Sequence, residues 1–175
     1  MIHEYLEKSA RRFPDKEAFI QDERRVSYAE ANKWSDSFAA CLQIKGIRKG
    51  DRIALLMDNC IEYILAYYGI LKAGAVAVPL SPKLKPDGLT FILNEIDAAA
   101  VITTFKSERL LKAAGSGLKG VKLMVIQSPR LDWPPSGPAV VAFEACISSG
   151  ELPVDTARIE SADLASIIYT SGSTG

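Results

Sequence analysis

The residues best suited to chemistry stand together at the end of the chain. Tyr169-Thr170-Ser171-Gly172-Ser173-Thr174-Gly175 follows the apolar run Ala165-Ser-Ile-Ile-Tyr169, and the last six positions hold four hydroxyls and two glycines. Glycines let a backbone bend until several N–H groups converge on one anion, and hydroxyls add further donors. A strand feeding such a loop, with a helix N-terminus beyond it, builds a phosphate site. The same composition also suits a flexible chain end. The strand directly before it tips the reading toward a phosphate loop. Thr170, Ser171, Gly172, Ser173, Thr174 and Gly175 are the candidate ligand-binding residues.

Other constellations carry less. Gly115-Ser-Gly117-Leu-Lys-Gly120 fits the letters GxGxxG, but a helical pattern precedes it and the apolar run Lys122–Gln127 follows. A dinucleotide fingerprint needs the reverse order, so this is a helix-to-strand loop. Tyr68 and Lys72 have the YxxxK spacing of short-chain reductases, yet they precede the glycines, and Lys72 reads as a side chain snorkelling from the end of a buried helix. His3 is the one histidine, which sets aside Ser-His-Asp and Cys-His mechanisms. Cys41, Cys60 and Cys146 are odd in number, widely spaced and without a CxxC pair. They read as ordinary buried thiols rather than as a disulfide framework or a zinc site. No metal site is expected.

Composition narrows the class. The chain has 175 residues, 48% of them hydrophobic and 24% charged, a globular mixture. Lys plus Arg and Asp plus Glu are 21 each, so nothing marks a nucleic-acid or anionic-membrane partner. The apolar stretch Ile64–Leu71 is too short for a transmembrane segment, and the charged first residues lack the apolar core of a signal peptide. A cytoplasmic location is expected.

The elements that position the terminal loop follow from periodicity. Ile2, Tyr5, Leu6, Ser9, Ala10 and Phe13 recur at helical spacing before Pro14. Ala18–Ile20 and Val26–Tyr28 flank a polar turn and predict a hairpin. Ser27 and Glu30 have capping-box spacing and predict a long helix that ends before Gly46. Beyond it the apolar runs Ile53–Met57, Val76–Leu80, Ala99–Thr103, Lys122–Gln127 and Ala165–Tyr169 read as strands, with a shorter one at Val140-Val141. Pro79 suits a strand end rather than its centre. Helices are predicted over Ile61–Ala73, Asp87–Ile96, Ser107–Ala114 and Phe143–Ile147, with Gly74 as a left-handed cap. Ser128–Pro138, with four prolines, and Gly150–Ser161 are connectors. Apolar strands alternating with helices predict an α/β fold: a doubly wound, mostly parallel sheet flanked by helices, with an N-terminal helix and hairpin. Ligands in such folds bind at the carboxyl ends of the strands.

With these residues in view, the sequence resembles the adenylate-forming (AMP-binding) enzymes: acyl- and aryl-CoA synthetases, the amino-acid-activating domains of peptide synthetases, and firefly luciferase. Thr170-Ser-Gly-Ser-Thr-Gly175, with Asp163–Tyr169 before it, is similar to the family's phosphate-loop signature. Leu71-Lys-Ala-Gly-Ala-Val-Ala-Val-Pro-Leu-Ser-Pro82 resembles its LKAGxxxVPL(D/N)P segment, and Val26-Ser-Tyr-Ala-Glu30 its (L/V)(T/S)YxEL segment. Gly50–Asn59 follows in the expected order, so the resemblance covers essentially the whole chain. It implies that residues 1–175 are the N-terminal portion of an AMP-binding domain, with no second complete domain.

The resemblance also implies a reaction. A carboxylate attacks the α-phosphate of ATP·Mg2+ to give an acyl-adenylate and pyrophosphate, and in the CoA ligases the thiol of CoA then displaces AMP. Thr170–Gly175 would hold the β- and γ-phosphates. The family's lysine after the phosphate loop, its magnesium glutamate, its ribose aspartate, its adenine-stacking segment and its mobile C-terminal domain have no counterpart in these residues. The catalytic residues are therefore expected beyond Gly175, the isolated chain is expected to be inactive, and its uncovered apolar surface is expected to promote self-association. The CoA-ligase branch is preferred because Met1 opens straight into the first helix. The alternatives are an amino-acid-activating fragment and a non-catalytic α/β nucleotide-binding or interaction module.

Overall fold

The computed structural model describes residues 1–153 and 159–169, the side chain of Ser116 excepted. Helix α1 (Ile2–Arg12) carries its apolar stripe inward, with Leu6 and His3 buried. It stops at Phe13, ahead of Pro14, whose ring cannot continue it. Strands β1 (Glu17–Gln21) and β2 (Arg24–Ser27) form the expected hairpin, turning through Asp22 at φ +52°. Helix α2 (Tyr28–Ile44) opens with the expected capping box: Glu30 N–H donates to Ser27 Oγ at 3.3 Å, and Ser27 N–H donates to Glu30 Oε2 at 2.8 Å.

The main sheet has five parallel strands, β3 (Arg52–Leu56), β4 (Val76–Leu80), β5 (Ala98–Thr104), β6 (Leu123–Gln127) and β7 (Ala139–Ala142), in the order β4-β3-β5-β6-β7. Helices α3 (Ile61–Lys72), α4 (Pro86–Glu95), α5 (Glu108–Ala114) and α6 (Phe143–Ser148) complete it. After β4 the chain reverses direction across the sheet. A fixed crossover hand then puts α3 on one face and α4 and α5 on the other. This is the doubly wound α/β architecture predicted from the sequence.

Strand alternation divides the core accordingly. Ile53 and Leu55 of β3 face α2, α3 and α6, whereas Ala54 and Leu56 face α4 and α5. On the first face α2 and α3 pack at close range over Gly69. A Cβ there would lie 2.7 Å from Phe38 Cδ1, so only glycine fits without repacking. Gly74, at φ +75°, ends the α3 region in the left-handed conformation expected of it. The hairpin is locked to the start of α3. Gln21 Oε1 accepts the Ile61 N–H at 3.0 Å, and Arg24 pairs at 2.8 Å with the buried Glu62. Cys60 caps the same helix end, its Sγ accepting the Tyr63 N–H at 3.4 Å, and burial pushes its thiol pKa up.

Three expectations need correction. Cys41 and Cys146 are not free thiols. They form a disulfide between α2 and α6, their Cα atoms 5.3 Å apart, and only Cys60 is free. A separation of 105 residues leaves no trace in spacing, which is why the sequence reading missed it. Lys72 does not snorkel. Its side chain is 3% exposed, and Nζ donates to Asp36 Oδ1 at 2.6 Å and Asn32 Oδ1 at 2.8 Å. Asn32 and Asp36 are four apart and share one face of α2, so a polar pair receives the charge inside the helix layer. Ala165–Tyr169 is not a strand of the sheet; it makes a single parallel bridge, Ser166 to Ala77. By contrast the glycines at 115–120 behave as expected. Gly115–Gly117 is a 3₁₀ turn between α5 and β6, the wrong context for a dinucleotide loop. No described helix is long and apolar enough to cross a membrane.

Candidate functional site

The segment that leads into the candidate phosphate loop is held along the outer edge of β4. Ala77 N–H donates to the Ala165 carbonyl, and Ile167 N–H donates to the Ala77 carbonyl, both at 3.0 Å. Ser166 Oγ adds a bond to the same Ala77 carbonyl at 2.8 Å. These bonds run in the parallel sense, so the segment travels toward the carboxyl end of the sheet, where ligands bind in open α/β folds. Ile167 packs among the apolar residues of the α4 and α5 face.

Both ends of this segment are tethered by side chains. Upstream, Asp163 Oδ2 accepts the Glu160 N–H at 2.6 Å and pairs with Lys49 Nζ at 2.6 Å. The backbone donor first, and then the lysine, hold the Asp163 carboxyl below the usual range. Downstream, the Tyr169 hydroxyl donates to Glu95 Oε2 at 2.7 Å, at the last residue of α4. Desolvation, and then the carboxylate beside it, push the phenol up to about 12. His3 and Leu71 line a cleft of about 180 Å³ with Ile159, Glu160 and Ala165, so α1 also abuts this segment. Burial lowers the His3 pKa against the opposing pull of Glu7 and Glu4.

The six candidate residues, Thr170, Ser171, Gly172, Ser173, Thr174 and Gly175, lie outside the described residues. The structure brings to their doorstep the tether residues Glu95, Ser166 and Tyr169; the sequence shows Ser166 and Tyr169 only as members of the apolar run before the loop and gives Glu95 no role. Glu95 reads as one more charge at the end of an amphipathic helix, and only the fold shows that Tyr169, 74 positions later, reaches it. Among the described residues no three His, Cys, Asp or Glu side chains come together to hold a metal ion. As a donor set, four hydroxyls and two glycines fit phosphate oxygens.

The profile of the AMP-binding enzyme family matches residues 6–175. The chain belongs to this family. It is 32% identical over 174 residues to bacitracin synthase 1 of Bacillus licheniformis, a match that covers 99% of the chain and 3% of that protein. It is 30% identical over 193 aligned positions to a long-chain-fatty-acid–CoA ligase of Salmonella typhimurium, covering 98% of the chain and 34% of the ligase. Among solved structures, the apo structure of Mycobacterium smegmatis MbtA superposes with a TM-score of 0.88 at 25% identity, over all of the chain and 32% of MbtA. The AMP-binding assignment thus spans the hairpin, the sheet and the terminal loop, while the chain spans only a fraction of each relative's length.

Proposed function

We propose that residues 1–175 are the opening portion of an AMP-binding domain in an ATP-dependent carboxylate-activating ligase. The observation that carries this reading is the apolar segment pinned along β4 and running directly into Thr170–Gly175. In this reading the hydroxyls and backbone N–H groups of Thr170, Ser171, Gly172, Ser173, Thr174 and Gly175 receive the β- and γ-phosphates of ATP. They offset the charge that develops on the departing pyrophosphate. ATP, bound with Mg2+, supplies the electrophilic phosphorus, and a carboxylic acid supplies the nucleophile. In the CoA-ligase form of the reaction the acyl group then passes to the thiol of CoA. The tethers at Asp163, Ser166 and Tyr169 hold the segment from which the loop departs near the carboxyl end of the sheet.

The chain spans 34% of the Salmonella ligase, so the whole reaction is assigned to a longer protein. The isolated 175 residues are proposed to be inactive and to self-associate through uncovered apolar side chains such as Phe91, Leu164 and Ile168, all more than half exposed. A second reading, amino-acid activation, is favoured by 30% identity over 175 residues to an L-proline–[L-prolyl-carrier protein] ligase of Pseudomonas fluorescens.

Carboxylate-dependent ATP–pyrophosphate exchange tests the proposal, run on the 175-residue chain and on the complete product of its gene. The expected result is exchange by the complete product alone, lowered about 100-fold by Gly172→Val, which crowds a loop built to approach phosphate. Exchange by the isolated chain overturns its inactivity. No exchange by the complete product with any carboxylic or amino acid overturns the ligase reading in favour of a non-catalytic nucleotide-binding module. Thioester formation with CoA separates the two catalytic readings.

A further inference from the structure

A groove of about 780 Å³ lies on the α4 and α5 side of the sheet, between the end of α5, the Gly115–Lys122 connection and the proline-rich loop before β7. Val121 and Lys122 immediately precede β6, and Pro138 immediately precedes β7. The groove therefore opens at the amino ends of these strands, the opposite end of the sheet from the proposed phosphate loop. Its volume is in the range of small-molecule sites.

The walls are apolar: Leu118, Val121, Met124 and Trp133, with Pro134 and Pro138. Trp133 is held in place from behind. Its indole N–H donates at 3.1 Å to Glu108 Oε1, a carboxylate on the first turn of α5 that is 1% exposed. Glu108 also accepts the Arg130 and Leu131 N–H groups at 3.0 and 3.2 Å. One buried carboxylate thus fixes the whole run from Arg130 to Trp133 against α5, and its charge is met by three N–H donors. The indole wall is preorganised rather than a loose surface aromatic.

Two lysines line the same groove, and their charges are balanced differently. Lys122 Nζ pairs with Asp51 at 3.3 Å. Lys112 Nζ donates at 2.6 Å to the neutral carbonyl of Asp132 and sits 5.5 Å from the centre of the Trp133 ring. Among the described residues no carboxylate forms an ion pair with it. An apolar groove with a solvent-exposed lysine at its edge that no carboxylate pairs complements a ligand with an apolar body and one negative charge.

We propose that this groove binds an organic monoanion with an apolar body, the anion paired with Lys112 and the body packed against Trp133. The site lies at the opposite end of the sheet from the proposed phosphate loop, and it does not depend on that reading.

The test uses Trp133 as its own reporter. The chain has two tryptophans, and Trp34→Phe leaves only Trp133. Titration with 8-anilinonaphthalene-1-sulfonate should quench its emission saturably. N-phenyl-1-naphthylamine, the same body without the sulfonate, should bind about 10-fold more weakly, as should the sulfonate with Lys112→Gln. Lys112→Arg should keep affinity within about 3-fold, and a thermal melt checks that both variants fold. Displacement by naphthoate assigns an aromatic body and displacement by decanoate an alkyl one; either supports the site. Mg·ATP should leave the isotherm unchanged, and competition by it would overturn the separation of the two sites. Absence of saturable quenching overturns the proposal. So does equal binding of the charged and neutral probes with no loss in Lys112→Gln, which would mark a plain apolar surface.

Discussion

The two edges of the sheet are secured by different physics. At β7, the edge is held by buried matter. Phe143 of α6 stacks on Phe38 of α2 with ring centres 4.9 Å apart, the Cys41–Cys146 disulfide ties the same two helices, and buried Glu108 anchors the loop that approaches β7. At β4, the edge is held mostly by polar contacts: the exposed pairs Asp163 with Lys49 and Tyr169 with Glu95, and the half-buried bond of Ser166 to Ala77. Buried apolar contacts are costly to break, whereas exposed polar pairs are each worth about 1 kcal/mol or less. The difference teaches where adaptability resides. The β7 edge is scaffold, and the β4 edge can shift by small amounts without endangering the fold. That suits a segment delivering a loop to a substrate.

Breaking the β7 edge should cost most. Reduction of the disulfide closing a 105-residue separation should lower stability by about 4 kcal/mol in urea unfolding, and thiol titration should rise from one group to three. Phe143→Ala, at a fully buried site, should also cost about 4 kcal/mol, and retention of stability within about 1 kcal/mol would show that α6 is not part of the scaffold. Glu108→Ala strips three donors of their acceptor. It should cost about 3 kcal/mol and shift Trp133 emission to the red as its ring loosens.

Disturbances at the β4 edge should be smaller. His3 is the one histidine, so its proton resonance titrates in isolation. Its folded pKa is depressed by burial, so its contribution to stability is present above the ordinary value near 6.5 and lost as pH falls through the folded value. Acid should therefore loosen α1 from residues 159–165 while the β7 edge stays intact, and His3→Gln should flatten that dependence. A His3 resonance titrating at or above 6.5 would contradict the buried docking. The smallest effect belongs to Tyr169. Its raised pKa means that the Glu95 bond is fully present below about 10 and lost as pH rises toward 12. Tyr169→Phe should remove the last phenol to ionise in an alkaline ultraviolet titration and lower stability by less than about 1 kcal/mol.

Local signals made most of the fold legible. The Ser27–Glu30 box, the apolar runs and Gly74 mark elements through interactions within a few residues, and the structure places those elements close to their expected bounds. What stayed hidden depends on distant partners. Lys72 is buried because Asn32 and Asp36 meet it from another helix, and Cys41 meets Cys146 only after the sheet has brought α6 onto α2. Ala165–Tyr169 falls short of a strand for a related reason. Ala165–Tyr169 is as apolar as β3, but pairing depends on what the neighbouring edge offers. The candidate loop was visible as a motif, whereas the tether from Tyr169 to Glu95 has no motif at all.

Pro79 bears on that edge. Val76 N–H points toward β3, donating to the Asp51 carbonyl, and Ala77 N–H points outward to Ala165. By the two-residue period of a strand, the next outward donor falls at position 79, where proline has none. The ladder therefore stops after one rung, and the incoming segment leaves the sheet at Ile167. The same donor gap makes the outer side of β4 a poor template for a strand of a second molecule. At this edge a second copy would meet side chains such as Ile168 rather than a continuous row of donors.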